Sequence, residues 1–153
     1  MALIDEIREQ PEVAARLLSE AGPEVAAICE AIRAADPAHV VIAARGTSDH
    51  AAIYAQYAFG VMAGISVGLA TPSVHSLYGA SPDYGRALVI GISQSGASPD
   101  VVGVIRAARS QGAITLAITN TPGSDMAEAA EHHLALRAGP ERAVAATKTY
   151  TAT

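Results

Sequence analysis

Short apolar runs rich in β-branched residues recur from residue 39 onward, and they predict the strands of a sheet. The runs are "HVVIAA" at 39–44, "ISVGLA" at 65–70, "ALVIGI" at 87–92, "AITLAIT" at 113–119 and, more weakly, "HHLALR" at 132–137. Because successive residues are apolar, rather than every second residue, the runs are typical of parallel strands buried on both faces.

Helical patterns lie between these runs, at 48–60, 98–110 and 125–131. This alternation of strand and helix predicts an α/β fold with a doubly wound parallel sheet. Since crossovers between parallel strands are right-handed, the strand-to-helix turns should line one edge of the sheet, where open α/β sheets bind ligands.

Residues 1–36 predict N-terminal helices, which precede the α/β domain at 37–153. Apolar residues Leu3, Ile4 and Ile7 predict a short opening helix. The following "EQP" should end that helix, so that Pro11 starts the next one, and a further helix is predicted at 23–35.

The C-terminal stretch "AVAATKTYTAT" predicts a helix that begins near Ala143. Helices usually end with a Gly or Pro signal, and this one reaches Thr153 without either. We therefore expect the chain to be a fragment, or one half of a larger fold.

Composition narrows the class of protein. The chain has 153 residues, of which 50% are apolar and 16% charged, so one domain can bury a substantial core. A net charge of −5 without a basic stripe argues against nucleic acid as a partner. A single cysteine, no signal-peptide pattern and no apolar run near the about 20 residues of a membrane span indicate a cytoplasmic protein without a membrane partner.

The stretch "GISQSGASPD" at 91–100 carries the candidate chemistry at a strand-to-helix junction. Gly91 and Gly96 have the spacing of a nucleotide P-loop, but Ala97 stands where that motif requires lysine. Gly91 and Ser93 fit a serine-hydrolase elbow, but Ser95 stands where its final glycine belongs. Neither nucleotide hydrolysis nor serine hydrolysis is therefore favoured.

A cradle for a phosphate group fits these residues better. Ser93, Gln94 and Ser95 offer side-chain donors, and Ser98 is the predicted N-cap of the next helix. Asp100, an acid close to an anion site, counts against this interpretation. The alternative, a capped turn without a ligand, explains Ser98 but not the three preceding donors.

A second hydroxyl-rich turn, "GTS" at 46–48, follows the first predicted strand and includes Thr47 and Ser48. Alone it would be an ordinary N-cap. Together, two such turns on one sheet edge could surround a phosphate or a sugar. The five histidines show no metal-ligand spacing, so no metal site is expected.

Three ordered motifs, "ARGTSDHAAIYAQY", "GISQSGASPDVVGVIRAAR" and "GPERAVAATKTYTA", resemble those of sugar isomerase (SIS) domains. The likeness is strongest to the isomerase half of glutamine:fructose-6-phosphate amidotransferase and to SIS-type glucosamine-6-phosphate deaminases. It implies a flavodoxin-like three-layer α/β/α sandwich around a five-stranded parallel sheet. It implies no metal or organic cofactor.

The resemblance also implies a site. Residues matching the family's sugar-phosphate contacts are Thr47, Ser48, Ser93, Gln94, Ser95, Ser98 and Val144. The catalytic residues remain unknown, because the family places its base, ring-opening histidine and Schiff-base lysine in a second SIS half that this chain does not match. Lys148, in "ATKTY", belongs to a motif of the first half and is interpreted as structural.

The function expected from the resemblance is binding of a hexose 6-phosphate for deamination of glucosamine 6-phosphate. Arg45 stands where the amidotransferase often has a small residue, which favours the deaminase branch. A half enzyme should have little activity alone, and an apolar face meant for the second half makes a homodimer the expected assembly. The alternatives are a complete single-domain isomerase that uses a base such as Glu141 across a homo-oligomer, and a non-catalytic sugar-phosphate sensor.

Overall fold

The computed structural model describes residues 2–153, and a parallel sheet lies at its centre. The strands are β1 (His39–Ala44), β2 (Val67–Leu69), β3 (Ala87–Ser93), β4 (Ile114–Thr119) and β5 (His132–Ala135). All five pair in parallel, in the order β2-β1-β3-β4-β5. Each predicted strand is present, although β2 and β5 are shorter than their apolar runs.

Helices cover both faces of the sheet. They are α1 (Ala2–Glu20), α2 (Gly22–Ala35), α3 (Thr47–Ala63), α4 (Ser73–Ser76), α5 (Pro99–Ser110), α6 (Asp125–Ala129) and α7 (Lys148–Ala152). On one face α2 and α3 pack on the sheet, and Ala52 of α3 shares an apolar cluster with Ile90. On the other face, Ile105 of α5 and Met126 of α6 cluster with Val89. The predicted flavodoxin-like three-layer α/β/α sandwich is thus confirmed.

Burial explains why the central strand β3 is apolar on both faces. All seven residues of β3 are buried, since its alternate side chains enter the clusters on opposite faces of the sheet. No helix within residues 2–153 combines the length and the apolar character that crossing a membrane requires.

The first helix runs without a break through Pro11, so the predicted helix end at "EQP" is wrong. A proline removes one backbone hydrogen bond from a helix interior. Contacts on both sides of the proline offset this loss. Before it, the carboxylate of Glu6 accepts the backbone N–H of Arg142 at 2.6 Å. After it, Val13 is buried in an apolar cluster with Leu136.

The last helix begins at Lys148, so the prediction of a helix from near Ala143 is also wrong. Oε1 of Glu141 accepts the backbone N–H groups of Thr147 and Lys148, both at 2.8 Å. These N–H groups have no partner inside the helix, and a carboxylate at a helix N-terminus also interacts favourably with the helix dipole. Glu141 thereby fixes where α7 starts and leaves 142–147 as a loop.

Candidate functional site

The two hydroxyl-rich turns meet between β1 and β3, where the connections of the sheet change face. The chain leaves β1 for α3 on one face and leaves β3 for α5 on the other. Ala44 and Ile92 pair in register near the carboxyl ends of these strands. The turns at 45–48 and 93–98 therefore open side by side at the switch point, which is where open parallel sheets of this order bind ligands.

The turn after β3 is shaped by its own hydroxyl groups. Oγ of buried Ser93 accepts the backbone N–H of Gly96 at 3.1 Å and lies 3.5 Å from Oγ of Ser98. Ser95 is exposed, and its Oγ accepts the N–H of Ala97 at 3.3 Å. The fold thus uses Ser93 to hold the turn and leaves Ser95 accessible to a ligand.

Two backbone hydrogen bonds from neighbouring segments hold this turn in place. The carbonyl of Gln94 accepts the N–H of Asn120 at 3.0 Å, and the carbonyl of Gly96 accepts the N–H of Met126 at 3.0 Å. Gly96 has φ +65°, and a Cβ at this residue would lie 2.1 Å from Oγ of Ser124. Glycine is therefore required both by the backbone conformation and by the close approach of the Ser124 turn.

The N-terminus of α5 faces the same opening. Ser98 has the extended backbone of an N-cap residue, but its hydroxyl makes no capping hydrogen bond. Pro99 occupies the first turn, where a missing N–H costs nothing. The N–H of Val101 in that turn donates to Oδ1 of Asp100. The N–H of Asp100, the positive end of the helix dipole and the Ser98 hydroxyl are available to an anion.

The turn after β1 contributes two more hydroxyl groups to the candidate site. Gly46 is the N-cap of α3, with φ +59°, and Thr47 and Ser48 are the first two residues of the helix. Both are partly buried. Within residues 2–153, neither hydroxyl takes part in a side-chain hydrogen bond, so both remain able to bind a ligand.

An ion pair that the sequence interpretation missed joins the two turns. Nε of Arg45 lies 2.6 Å from Oδ2 of Asp100, in the first turn of α5. Oδ1 of Asp100 accepts the N–H of Val101 at 3.0 Å. The carboxylate that counted against an anion site is thus paired with a guanidinium. The sequence does show opposite charges at Arg45 and Asp100. Because these residues are 55 positions apart, the sequence alone did not indicate that they pair.

The third predicted segment forms the loop before α7. Val144 is fully exposed in the loop before α7, and the structure does not bring it into a hydrogen-bonded unit with the two turns. Lys148 is buried, and its ammonium group pairs with the carboxylate of Glu9 in α1. This contact supports a structural role for Lys148. No group of His, Cys, Asp or Glu suited to a metal ion is found within 2–153.

The sheet order and the position of the polar turns define a flavodoxin-like α/β domain whose candidate site lies at the β1/β3 switch point. Comparison with known proteins identifies the family. The chain matches the SIS domain family over residues 33–153, and it therefore belongs to that family.

Curated relatives are much longer than this chain. It is 40% identical over 148 residues to a glutamine–fructose-6-phosphate aminotransferase (isomerizing) of Methanothermobacter thermautotrophicus, covering 97% of this chain and 24% of the relative. A protein of the same name from Halobacterium salinarum is 37% identical over 155 residues, covering 97% of this chain and 26% of the relative. The chain thus spans about a quarter of each relative.

Solved structures agree with the fold. A candidate phosphosugar isomerase from Silicibacter pomeroyi superposes with a TM-score of 0.91 at 42% identity, covering 97% of this chain and 46% of that one. The C-terminal domain of glucosamine-fructose-6-phosphate aminotransferase from Francisella tularensis gives a TM-score of 0.83 at 26% identity, covering 99% of this chain and 44% of that one.

Proposed function

We propose that this SIS domain binds a hexose 6-phosphate and serves a glucosamine-6-phosphate deaminase. The observation that carries the proposal is the meeting of two hydroxyl-bearing turns and a helix N-terminus at one switch point. Hydroxyls and backbone amides hold a phosphate ester without lysine, and a helix N-terminus favours its negative charge. The names of the relatives, which refer to fructose 6-phosphate and phosphosugars, support this ligand class.

In the proposed arrangement the phosphate occupies the turn after β3. Ser93, Gln94, Ser95 and Ser98 surround the phosphate. Thr47 and Ser48 reach the sugar and the phosphate from the turn after β1, and Val144 lines the sugar. The ligand would thereby lie across the switch point, with its reactive carbons directed away from the phosphate cradle.

The proposed reaction is a proton transfer between two carbons followed by hydrolysis. In the open-chain aldose, a proton moves from C2 to C1 and the amino group gives a proton to O1, which converts C1 to a primary alcohol and leaves an imine at C2. Water adds to the imine, and ammonia leaves to give fructose 6-phosphate. One glucosamine 6-phosphate and one water thus yield one fructose 6-phosphate and one ammonia.

The residues of this chain bind and orient in this proposal, and the base lies elsewhere in the complete enzyme. Glu141 is the candidate base of the single-domain isomerase alternative. Its carboxylate already accepts the N–H groups of Thr147 and Lys148, and it also accepts the hydroxyl of Thr149. A carboxylate committed to these donors is poorly suited to proton abstraction, which favours a half-site over a complete isomerase.

Calorimetric titration tests the ligand class. Glucosamine 6-phosphate and fructose 6-phosphate should bind, whereas unphosphorylated glucosamine should not bind measurably. Ser95→Ala removes a hydrogen bond to a charged ligand, so the Kd should rise about ten- to a hundredfold. Ser110→Ala, at the exposed far end of α5, is the matched control and should bind like the wild type. Equal binding of phosphorylated and unphosphorylated sugars would contradict the proposal.

Product analysis separates the deaminase from an isomerase. Incubation of the complete enzyme with glucosamine 6-phosphate should release ammonia in proportion to fructose 6-phosphate. Interconversion of glucose 6-phosphate and fructose 6-phosphate, without ammonia from the amino sugar, would instead assign an isomerase. Full isomerase activity in Glu141→Gln would in turn exclude Glu141 as the base.

A further inference from the structure

The side chains predicted to hold the phosphate do not balance its negative charge. The side chains that surround the phosphate are neutral, and Asp100 adds a carboxylate in the first turn of α5. A phosphate monoester carries nearly two negative charges at neutral pH. With a net charge of −5, the chain as a whole does not attract such an anion, so a local cation beside the neutral donors would strengthen its binding.

Arg45 stands at the position where such a cation is needed. It follows β1 directly after Ala44, which pairs with Ile92, and Ser93 follows Ile92 in the neighbouring strand. Arg45 and Ser93 therefore leave adjacent strands at the same level of the sheet edge. The Asp100 contact, at 2.6 Å, draws the guanidinium toward the N-terminus of α5.

The guanidinium is only partly used by the protein. A guanidinium has five N–H donors, and Asp100 takes the one on Nε. Within residues 2–153, neither Nη of Arg45 donates to another group, and the side chain is 54% exposed. The remaining donors have the planar arrangement that suits phosphate oxygens.

We propose that Arg45, oriented by Asp100, is the side chain that recognises the charge of the ligand's phosphate group and so determines selectivity for phosphorylated sugars. This inference rests on the proposed function. In the same arrangement, Asp100 is a positioning residue, because it holds Nε and leaves both Nη groups without a partner within residues 2–153.

The test is titration of the full chain with glucosamine 6-phosphate, with inorganic phosphate as a competitor. Arg45→Gln should raise the Kd about ten- to a hundredfold, and the inhibition constant of phosphate should rise in parallel. Arg106→Gln is the matched control, since Arg106 is exposed on α5 and its substitution removes the same charge. It should bind like the wild type, and equal melting temperatures would show that both variants fold.

A double variant distinguishes recognition of the phosphate by Arg45 from mere neutralisation of the Asp100 carboxylate. If Arg45 only masked the carboxylate of Asp100, Arg45→Gln combined with Asp100→Asn would restore wild-type affinity, and the inference would be overturned. If Arg45 contacts the phosphate, the double variant stays weak. Arg45→Lys keeps the charge but not the planar donors, so it should recover only part of the affinity.

The remaining outcomes are also distinct. A wild-type chain that binds glucosamine 6-phosphate, with Arg45→Gln binding equally well, would leave the proposed function intact and overturn the role of Arg45. A folded wild-type chain that binds none of the phosphorylated ligands would overturn both. A weaker dependence of Kd on salt in Arg45→Gln than in Arg106→Gln would support the charge contact.

Discussion

Gly96, in the turn after β3, tolerates little change. Its φ of +65° disfavours any residue with a Cβ, and an added Cβ would lie 2.1 Å from Oγ of Ser124. We predict that Gly96→Ala lowers the free energy of unfolding by about 2 kcal/mol or more, because backbone strain and overpacking add. Urea denaturation would measure the loss, and the proposed phosphosugar binding should weaken in the same variant.

The control for this prediction is Gly103→Ala in α5. Gly103 has open space around the position of an added Cβ and ordinary helical geometry. Alanine there should stabilise the protein by about 0.5–1 kcal/mol, as in other helix interiors. If both variants changed stability equally, the close contact between Gly96 and Ser124 would not limit this turn.

His133 makes stability depend on pH. Burial lowers its pKa from the ordinary 6.5, Arg137 lowers it further, and Glu24 partly offsets both. The ring Nε2 also lies 2.9 Å from Oγ1 of Thr119. Below pH 6.5 the His133 ring binds a proton more readily in the unfolded chain than in the folded chain. The contribution of His133 to stability is therefore complete above pH 6.5 and is lost as the pH falls toward the lower folded pKa.

Urea denaturation between pH 5 and pH 8 would measure this effect. In the wild type, the free energy of unfolding should fall as the pH drops below about 6.5. His133→Gln removes the titrating group and should make the slope in that range shallower. An unchanged slope would mean that the folded and unfolded chains bind the His133 proton equally.

At the scale of the element, α7 depends on a single carboxylate. It has five residues, which is too short to be stable alone, and Glu141 accepts the N–H groups of its first turn. We predict that Glu141→Ala costs about 1–2 kcal/mol of stability, like the loss of other N-terminal caps. Glu12→Ala, an exposed glutamate of α1, is the control and should be close to neutral in the same urea titration.

The central strands β3 and β4 were predictable because nearly all of their residues are buried, so both faces are mostly apolar in the sequence. The edge strands β2 and β5 are only partly buried, and both are shorter than predicted. The errors at Pro11 and Ala143 have a different origin. The continuity of α1 depends on contacts such as that of Glu6 with Arg142, 136 positions away. The start of α7 depends on the carboxylate of Glu141. Contacts between distant residues leave no periodic pattern, so propensity alone gave the wrong helix boundaries.

At the scale of the whole molecule, the position of the site followed from the sheet. Strand–helix alternation predicted that Thr47, Ser48 and Ser93 would lie at one edge, and the structure places both turns at the β1/β3 switch point. The ion pair between Arg45 and Asp100 was not predictable in this way. It joins residues 55 positions apart, and it became visible only when β1 and β3 were placed side by side.

An apolar surface on α3 remains open on the outside of the molecule. Val61 is 84% exposed and Met62 86%, and Tyr54 is exposed on the same helix. Beside them, a largely apolar cleft of about 690 Å³ extends over the sheet as far as Tyr150 of α7. Exposed apolar surfaces of this kind usually mark a contact with another protein surface.

We predict that the chain forms a homodimer through this α3 surface, because association would remove the apolar side chains from water. Sedimentation velocity should show a dimer for the wild type and a monomer for Val61→Glu, whose buried charge would be unpaired in the interface. Leu18→Glu is the matched control, since Leu18 is also 84% exposed but lies on α1. It should remain dimeric. A monomeric wild type at all accessible concentrations, or equal dissociation of both variants, would contradict an interface on α3.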